Sequence, residues 1–221
     1  MKPITNQDLF DRTHTAAAVL FETYEYPWQV LPHIGETILA LGKTLSSEAY
    51  DEVQPNVWIA KSAKVATTAS IQGPCIIGPD TEVRHCAFIR GNVLVGAGAV
   101  VGNSTELKNV ILFDGVQVPH YNYVGDSVLG YRSHMGAGSI TSNVKSDKTL
   151  VVVKDGEKQF ETGLKKMGAI LGDFVEVGCG SVLNPGTVVG SHSNIYPLSS
   201  VRGVVAANSI YKKAGEIAEK Q

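Results

Sequence analysis

No apolar run in this 221-residue chain approaches the roughly 20 residues a membrane-spanning helix needs. The N-terminus, MKPITNQDLFDR, lacks the apolar core of a secretory signal. The chain is therefore expected to be cytoplasmic, with no membrane partner. Cysteine is scarce: Cys75, Cys86 and Cys179 are an odd number with no CxxC pair. That excludes a disulfide framework and suits free thiols in a reducing compartment. Neither sign of charge dominates, with 19 basic against 21 acidic side chains. There is no basic stripe for nucleic acid and no acidic block for a disordered tail. Aromatics make up only 7% of the residues while Gly numbers 23, which fits repetitive β-structure better than a helical core.

What the chain does have is a period. Ile59, Val65, Ile71, Ile77, Val83, Ile89, Val95, Val101 and Leu107 follow at six-residue intervals. Six is neither the 3.6 of an amphipathic helix nor the 2 of a plain strand. It is the hexapeptide signature of a parallel β-helix with three flat sides per coil. Gly or Ala often follows the aliphatic, as a tight turn requires (Ala60, Ala66, Gly78, Gly96, Gly102). The period slips by one residue before Leu112 and again before Leu129, breaks after Thr141, and resumes at Leu171. An unslipped coil holds 18 residues, and the repeats amount to about six coils stacked about 4.8 Å apart.

The expected fold class is all-β. A parallel β-helix covers 57–207, with a projecting hairpin excursion over 142–166. A helical segment over 1–56 precedes it. There Thr5 and Asp8 form a capping box, and Trp28, Leu31, Ile34, Ile38 and Leu41 make an apolar stripe with Trp28 as a packing anchor. Residues 46–56 read as a polar connector. A short helix over 208–221 is expected to cap the last coil, and the N-terminal helices the other end, because open β-edges need cover.

Residues 107–143 break the blandness of the repeat. They collect Lys108, His120, Tyr121, Tyr123, Asp126, Arg132, His134 and Asn143. Arg90 and Lys108 are 18 apart, each directly after its aliphatic, so they stack about 5 Å apart on successive coils. They are either solvated charges neutralised by Glu106 or a pair bridged by a phosphate. His120 is either a surface imidazole or a general base for an amine or hydroxyl. Gly136-Ala137-Gly138 offers backbone N–H groups to an oxyanion.

Lys108, His120, Tyr123, Gly125, Asp126, Gly130, Gly136, Ala137, Gly138, Ile140 and Asn143 together, with Arg90 at its offset, resemble a known pattern. It is that of the acetyltransferase domain of bifunctional UDP-N-acetylglucosamine pyrophosphorylase/glucosamine-1-phosphate acetyltransferases. With GAILGDFVEVGCGSVLNPGTVVG the chain is still more similar to the corresponding domain of archaeal-type sugar-1-phosphate nucleotidyltransferases. The resemblance implies a left-handed β-helix, a homotrimer, and acetyl-CoA as cosubstrate lying between neighbouring subunits, with no metal. It implies His120 as the base for the sugar amine. Arg90 and Lys108 would hold the sugar phosphate, Tyr123 would assist them, and Asn143 would position the amine. Ala137 N–H would face the acetyl oxygen, and Lys212 or Lys213 would meet a CoA phosphate.

The chain also departs from the pattern. The Gly-rich nucleotide loop of a pyrophosphorylase domain is missing, so the chain is not expected to make a nucleotide sugar by itself. His134 stands where the bacterial enzymes carry an Asn for the sugar. The lysine expected after Asn143 is out of register, with Lys145 and Lys148 as replacements. Two rivals remain. One is a non-catalytic binding subunit. The other is a zinc enzyme of the γ-carbonic-anhydrase type, suggested by Arg90-Gly91-Asn92 with His85 and His120. The position five after His120, where that site needs another histidine, is Gly125.

Overall fold

The six-residue period folds as three columns of short parallel strands, which close into a left-handed triangular prism. The computed structural model describes residues 4–213 and 215–220. Strands of the first face begin at residues 57, 75, 93, 110, 127, 169, 187 and 204, pairing upward in that order. The second face starts at 64, 82, 100, 117, 134, 176, 194 and 209. The third starts at 70, 88, 106, 123, 140, 182 and 200. The stack is thus seven to eight strands deep, taller than the six coils expected, and its part after the excursion consists of two full levels and two strands of a third.

The aliphatic of each repeat points into the prism. Ile77, Ile89, Val95, Val101, Leu107, Leu112, Val118, Val124, Leu129 and Leu183 are fully buried. The two slips have a structural meaning. Glu106–Leu112 and Tyr123–Leu129 run without interruption from the third face onto the first. One residue turns each corner in the left-handed region: Asn109 at φ 54° and Asp126 at φ 48°. Asn and Asp accept that conformation more readily than other non-glycine residues.

The N-terminal segment does not cap an end of the prism. It lies lengthwise along the first face, opposite to the direction of the coils. Leu9 O accepts from Asp173 N and His14 O from Asp114 N, both at 3.0 Å. Leu31 O accepts from Asn109 Nδ2 at 3.2 Å, and Gly42 lies against Trp58. Physically, the first face needs a cover. Its strands Cys75–Ile77, Val93–Val95 and Ala169–Leu171 are apolar and buried at every position, so both of their sides exclude water. Ile34–Gly42 buries Ile34 and Ile38 there, and Phe10, Phe21 and Phe113 form an edge-and-tilt cluster 5.0–5.3 Å apart. The Thr5–Asp8 capping box forms as expected.

The ends are closed by strands. Tyr50–Gln54, within the segment read as a connector, pairs antiparallel with Val57–Ala60. At the other end the expected 208–221 helix is replaced by a hairpin of Ser209–Lys213 and Glu216–Glu219. An antiparallel strand satisfies the N–H and C=O groups of the last coil edge, which a helix cannot pair. The excursion does contain a hairpin, Val152–Asp155 with Lys158–Glu161. Trp28, 3% exposed, stacks on Tyr26 at 4.7 Å and meets Phe160 of that hairpin at 6.1 Å. The anchor therefore ties the excursion to the N-terminal segment.

Candidate functional site

Four of the residues singled out from sequence meet at the corner where the third face turns into the first. Register sets Lys108 one level above Arg90 and beside Gly125. Arg90 Nη1 donates to Glu106 Oε1 at 2.7 Å, and this bond raises the Arg90 pKa. Lys108 Nζ lies 2.9 and 3.2 Å from the two oxygens of Asp126. Asn143 Nδ2 donates to Asp126 Oδ2 at 2.5 Å and to Tyr123 Oη at 3.1 Å. Burial, with the charges of Asp126 and Glu106 behind it, pushes the Tyr123 phenol up. The phenol thus stays a neutral hydroxyl with its proton free to donate. Gly125 makes the room: a Cβ there would stand 2.6 Å from Tyr123 Oη and 2.9 Å from Asn143 Nδ2.

Asp126 is the residue that sequence reasoning left without a role. It is 4% exposed and accepts from Lys108, Asn109 and Asn143. Its signal was in the sequence, as an acid falling on the residue where the period slips. The stacked cations are not open charges either. Each is paired with its own carboxylate, so within one chain the corner is nearly neutral.

His120 ends the strand Gln117–His120 at the opposite edge of the third face. Its imidazole is exposed, its N–H donates to Asn122 Oδ1 at 3.1 Å, and its carbonyl accepts from Gly138 N at 3.0 Å. Ala137 therefore sits directly above it. The chain bends at Tyr121 (φ 52°) and then crosses the third face from Tyr123 to Gly125, so His120 and Gly125 stand at opposite edges of that face, and no hydrogen bond or ion pair joins them among the described residues. His134 is elsewhere again, on the second face, with Nδ1 2.8 Å from Glu176 Oε2. Lys145 and Lys148 lie on the excursion, at the Lys108 edge of the third face. Lys145 is paired with Asp147 at 3.3 Å. Lys212 and Lys213 lie on the terminal hairpin, both paired with Glu216. Among the described residues no three His, Cys, Asp or Glu side chains group as a metal site, and His85 Nδ1 is 2.7 Å from Thr68 Oγ1.

Residues 71–206 match the family described as the GMPPB C-terminal domain. The chain belongs to this family. Its fold is that of hexapeptide-repeat acyltransferases, related to the acetyltransferase domain of GlmU-like bifunctional enzymes. A Bifunctional protein GlmU from Methanococcus maripaludis strain C5 is 32% identical over 191 residues, covering 85% of this chain and 46% of the relative. A Bifunctional sugar-1-phosphate nucleotidylyltransferase/acetyltransferase from Sulfurisphaera tokodaii is 27% identical over 215 residues, 93% of this chain and 53% of the relative. The chain thus spans about half the length of these curated relatives. Among solved structures, the acetyltransferase domain of PglB from Neisseria gonorrhoeae FA1090 aligns at 18% identity over 74% of this chain and 57% of that one, with a TM-score of 0.38.

Proposed function

We propose that this chain is a CoA-dependent N-acetyltransferase acting on a phosphorylated amino sugar by direct transfer. One observation carries the reading. Arg90, Lys108, Tyr123 and Asn143, scattered over 54 positions of sequence from 90 to 143, are brought to a single corner, where Asp126 joins Lys108 to Asn143, Asn143 reaches Tyr123, and Arg90 pairs with Glu106. The relatives named above carry acetyltransferase or GlmU names, and the resemblance assigns those four positions to the acceptor. In this reading the unused N–H groups of Arg90 and Lys108 take the sugar phosphate, and Tyr123 donates its hydroxyl to it. Asn143 orients the amine. His120 accepts the amine proton as the C–N bond forms and the C–S bond of acetyl-CoA breaks. Ala137 N–H receives the carbonyl oxygen as its charge develops.

Within one chain His120 stands too far from Asn143 for that proton transfer. The homotrimer implied by the resemblance supplies the remedy, by setting the His120 edge of one prism against the Asn143 edge of the next. Acetyl-CoA then runs between them toward Lys212 and Lys213. Release of CoA thiol from acetyl-CoA with glucosamine 1-phosphate, measured beside other amino-sugar phosphates and a His120→Ala control, tests this. Release lost in the variant supports the reading, and unchanged release in the variant removes His120 from the mechanism.

A second reading, a non-catalytic binding subunit, draws on the closed ion pairs Arg90–Glu106 and Lys108–Asp126. It predicts acetyl-CoA binding without thiol release from any acceptor of the panel.

A further inference from the structure

The cations at the corner each have a carboxylate, whereas two of the three in the neighbouring groove do not, among the described residues. Between the excursion and the upper coils lies a groove of about 650 Å³, with Ser142 and Asn184 on its floor and Lys145, Asp147, Lys154 and Arg202 around it. Lys145 and Asp147 offset one another at 3.3 Å. Lys154 and Arg202 have no carboxylate within ion-pair distance among the described residues. The groove therefore carries an excess of two positive charges in a concave space of ligand size.

The groove is also built rather than incidental. The hairpin strand carrying Lys154 lies tight against two turns of the prism. A Cβ on Gly203 would stand 2.7 Å from Lys154 O, and one on Gly186 2.9 Å from Val152 O. Both glycines have positive φ, 72° and 80°, so only glycine lets the strand approach so closely. That contact fixes Lys154 beside Arg202 on one rim. Along the third face, register places Arg90, Lys108, Gly125, Ser142, Asn184 and Arg202 in one column. Four strand steps separate Lys108 from Arg202, about 19 Å, and no charged residue of the column lies between them.

We propose that this groove is an anion subsite, taking a phosphate ester or diphosphate group of a ligand that lies along the third face. Arg202 supplies a planar fork of donors and Lys154 a point charge, the combination suited to phosphate oxygens. The site is distinct from Arg90 and Lys108, and its binding stands whether or not the chain transfers acetyl groups.

Inorganic pyrophosphate titrated into the full chain at low salt, followed by calorimetry, tests it. Wild type is compared with Lys154→Ala/Arg202→Ala and with Lys64→Ala, which removes an exposed charge on the second face. The expected result is binding in wild type, weakened at least tenfold in the double variant and unchanged in Lys64→Ala. Absence of binding in wild type, equal affinity in the double variant, or an equal loss in Lys64→Ala would each overturn the proposal. If the double variant does not fold, Arg202→Gln alone gives the same reading. Competition then identifies the source of the phosphate. Displacement of pyrophosphate by CoA but not by its 3′-dephospho form assigns the donor. Displacement by an amino-sugar phosphate or its nucleoside-diphosphate form assigns the acceptor.

Discussion

Asp126 grips Lys108 with both carboxylate oxygens, 2.9 and 3.2 Å from Nζ, and holds Asn143 at 2.5 Å with one of them. A 4%-exposed carboxylate thereby fixes two side chains that the sequence places 35 positions apart, at 108 and 143. Removing it leaves a half-buried ammonium and two amides short of an acceptor. Asp126→Ala is expected to cost about 2–4 kcal/mol, read as a lower urea midpoint at constant slope. A loss below about 0.5 kcal/mol would show the hub to be ornamental.

Gly125→Ala tests the same corner by crowding. The added methyl would meet Tyr123 Oη and Asn143 Nδ2 inside normal contact, so the pair must separate. In the proposed reaction the expected outcome is a fall in turnover of at least tenfold with the fold retained, measured by thiol release beside a thermal melt.

His120→Ala is expected to lower turnover by about 10²–10⁴-fold with little change in acetyl-CoA affinity, because a base acts on the transition state rather than on donor binding. Lys108→Ala should behave differently, chiefly raising the KM of the acceptor. Initial-rate kinetics on both variants separate the two roles. The same effect in both would collapse the distinction.

Trp28→Ala should loosen the excursion. Trp28 and Tyr26 hold Phe160 at 6.1 and 5.6 Å, and truncating a buried Trp costs about 3–5 kcal/mol. Hydrogen exchange over residues 150–162 is expected to accelerate more than exchange over 93–112. Equal acceleration of both stretches would mean that the anchor serves the whole prism instead.

Asp173 gives a pH signature. Its oxygens accept from Asp11 N at 2.6 Å and Tyr131 N at 2.7 Å, pinning the N-terminal segment. Burial nevertheless raises its pKa above 3.8, outweighing those bonds. The folded protein thus holds that proton more tightly than the unfolded chain does. The stability this gives is fully present below 3.8 and lost as pH rises through the raised folded value. Relative to Asp173→Asn, wild type should therefore gain ground as pH falls from 7 toward 4. Urea midpoints at four pH values test this, and a constant difference between the two proteins would refute it.

Much of this was legible in the sequence because a repeat writes its geometry into its spacing. Intervals of six gave the three-sided coil, and the slips before Leu112 and Leu129 marked the corner where Asn109 and Asp126 now sit. The need for a cover over the first face is also written in triplets such as Val93-Leu94-Val95 that leave no polar side for water, but such a triplet does not say which segment supplies it. The terminal hairpin was hidden behind Ala, Glu and Lys, residues that favour helix locally. Pairing with the last coil edge overrides that preference, because unpaired strand groups cost more than a few tenths of a kcal/mol of propensity.

The sequence by itself determined the fold and the ordered set Arg90, Lys108, His120, Tyr123 and Asn143, since period and offset fix the position of each residue on its coil. Only the tertiary structure decided which of them meet. Side chains one level apart on the same edge share a corner, so Arg90, Lys108, Tyr123 and Asn143 gather around two carboxylates. His120, Ala137 and His134 are close to them in sequence but on other edges of the prism. A turn of the chain separates residues that lie near one another in sequence.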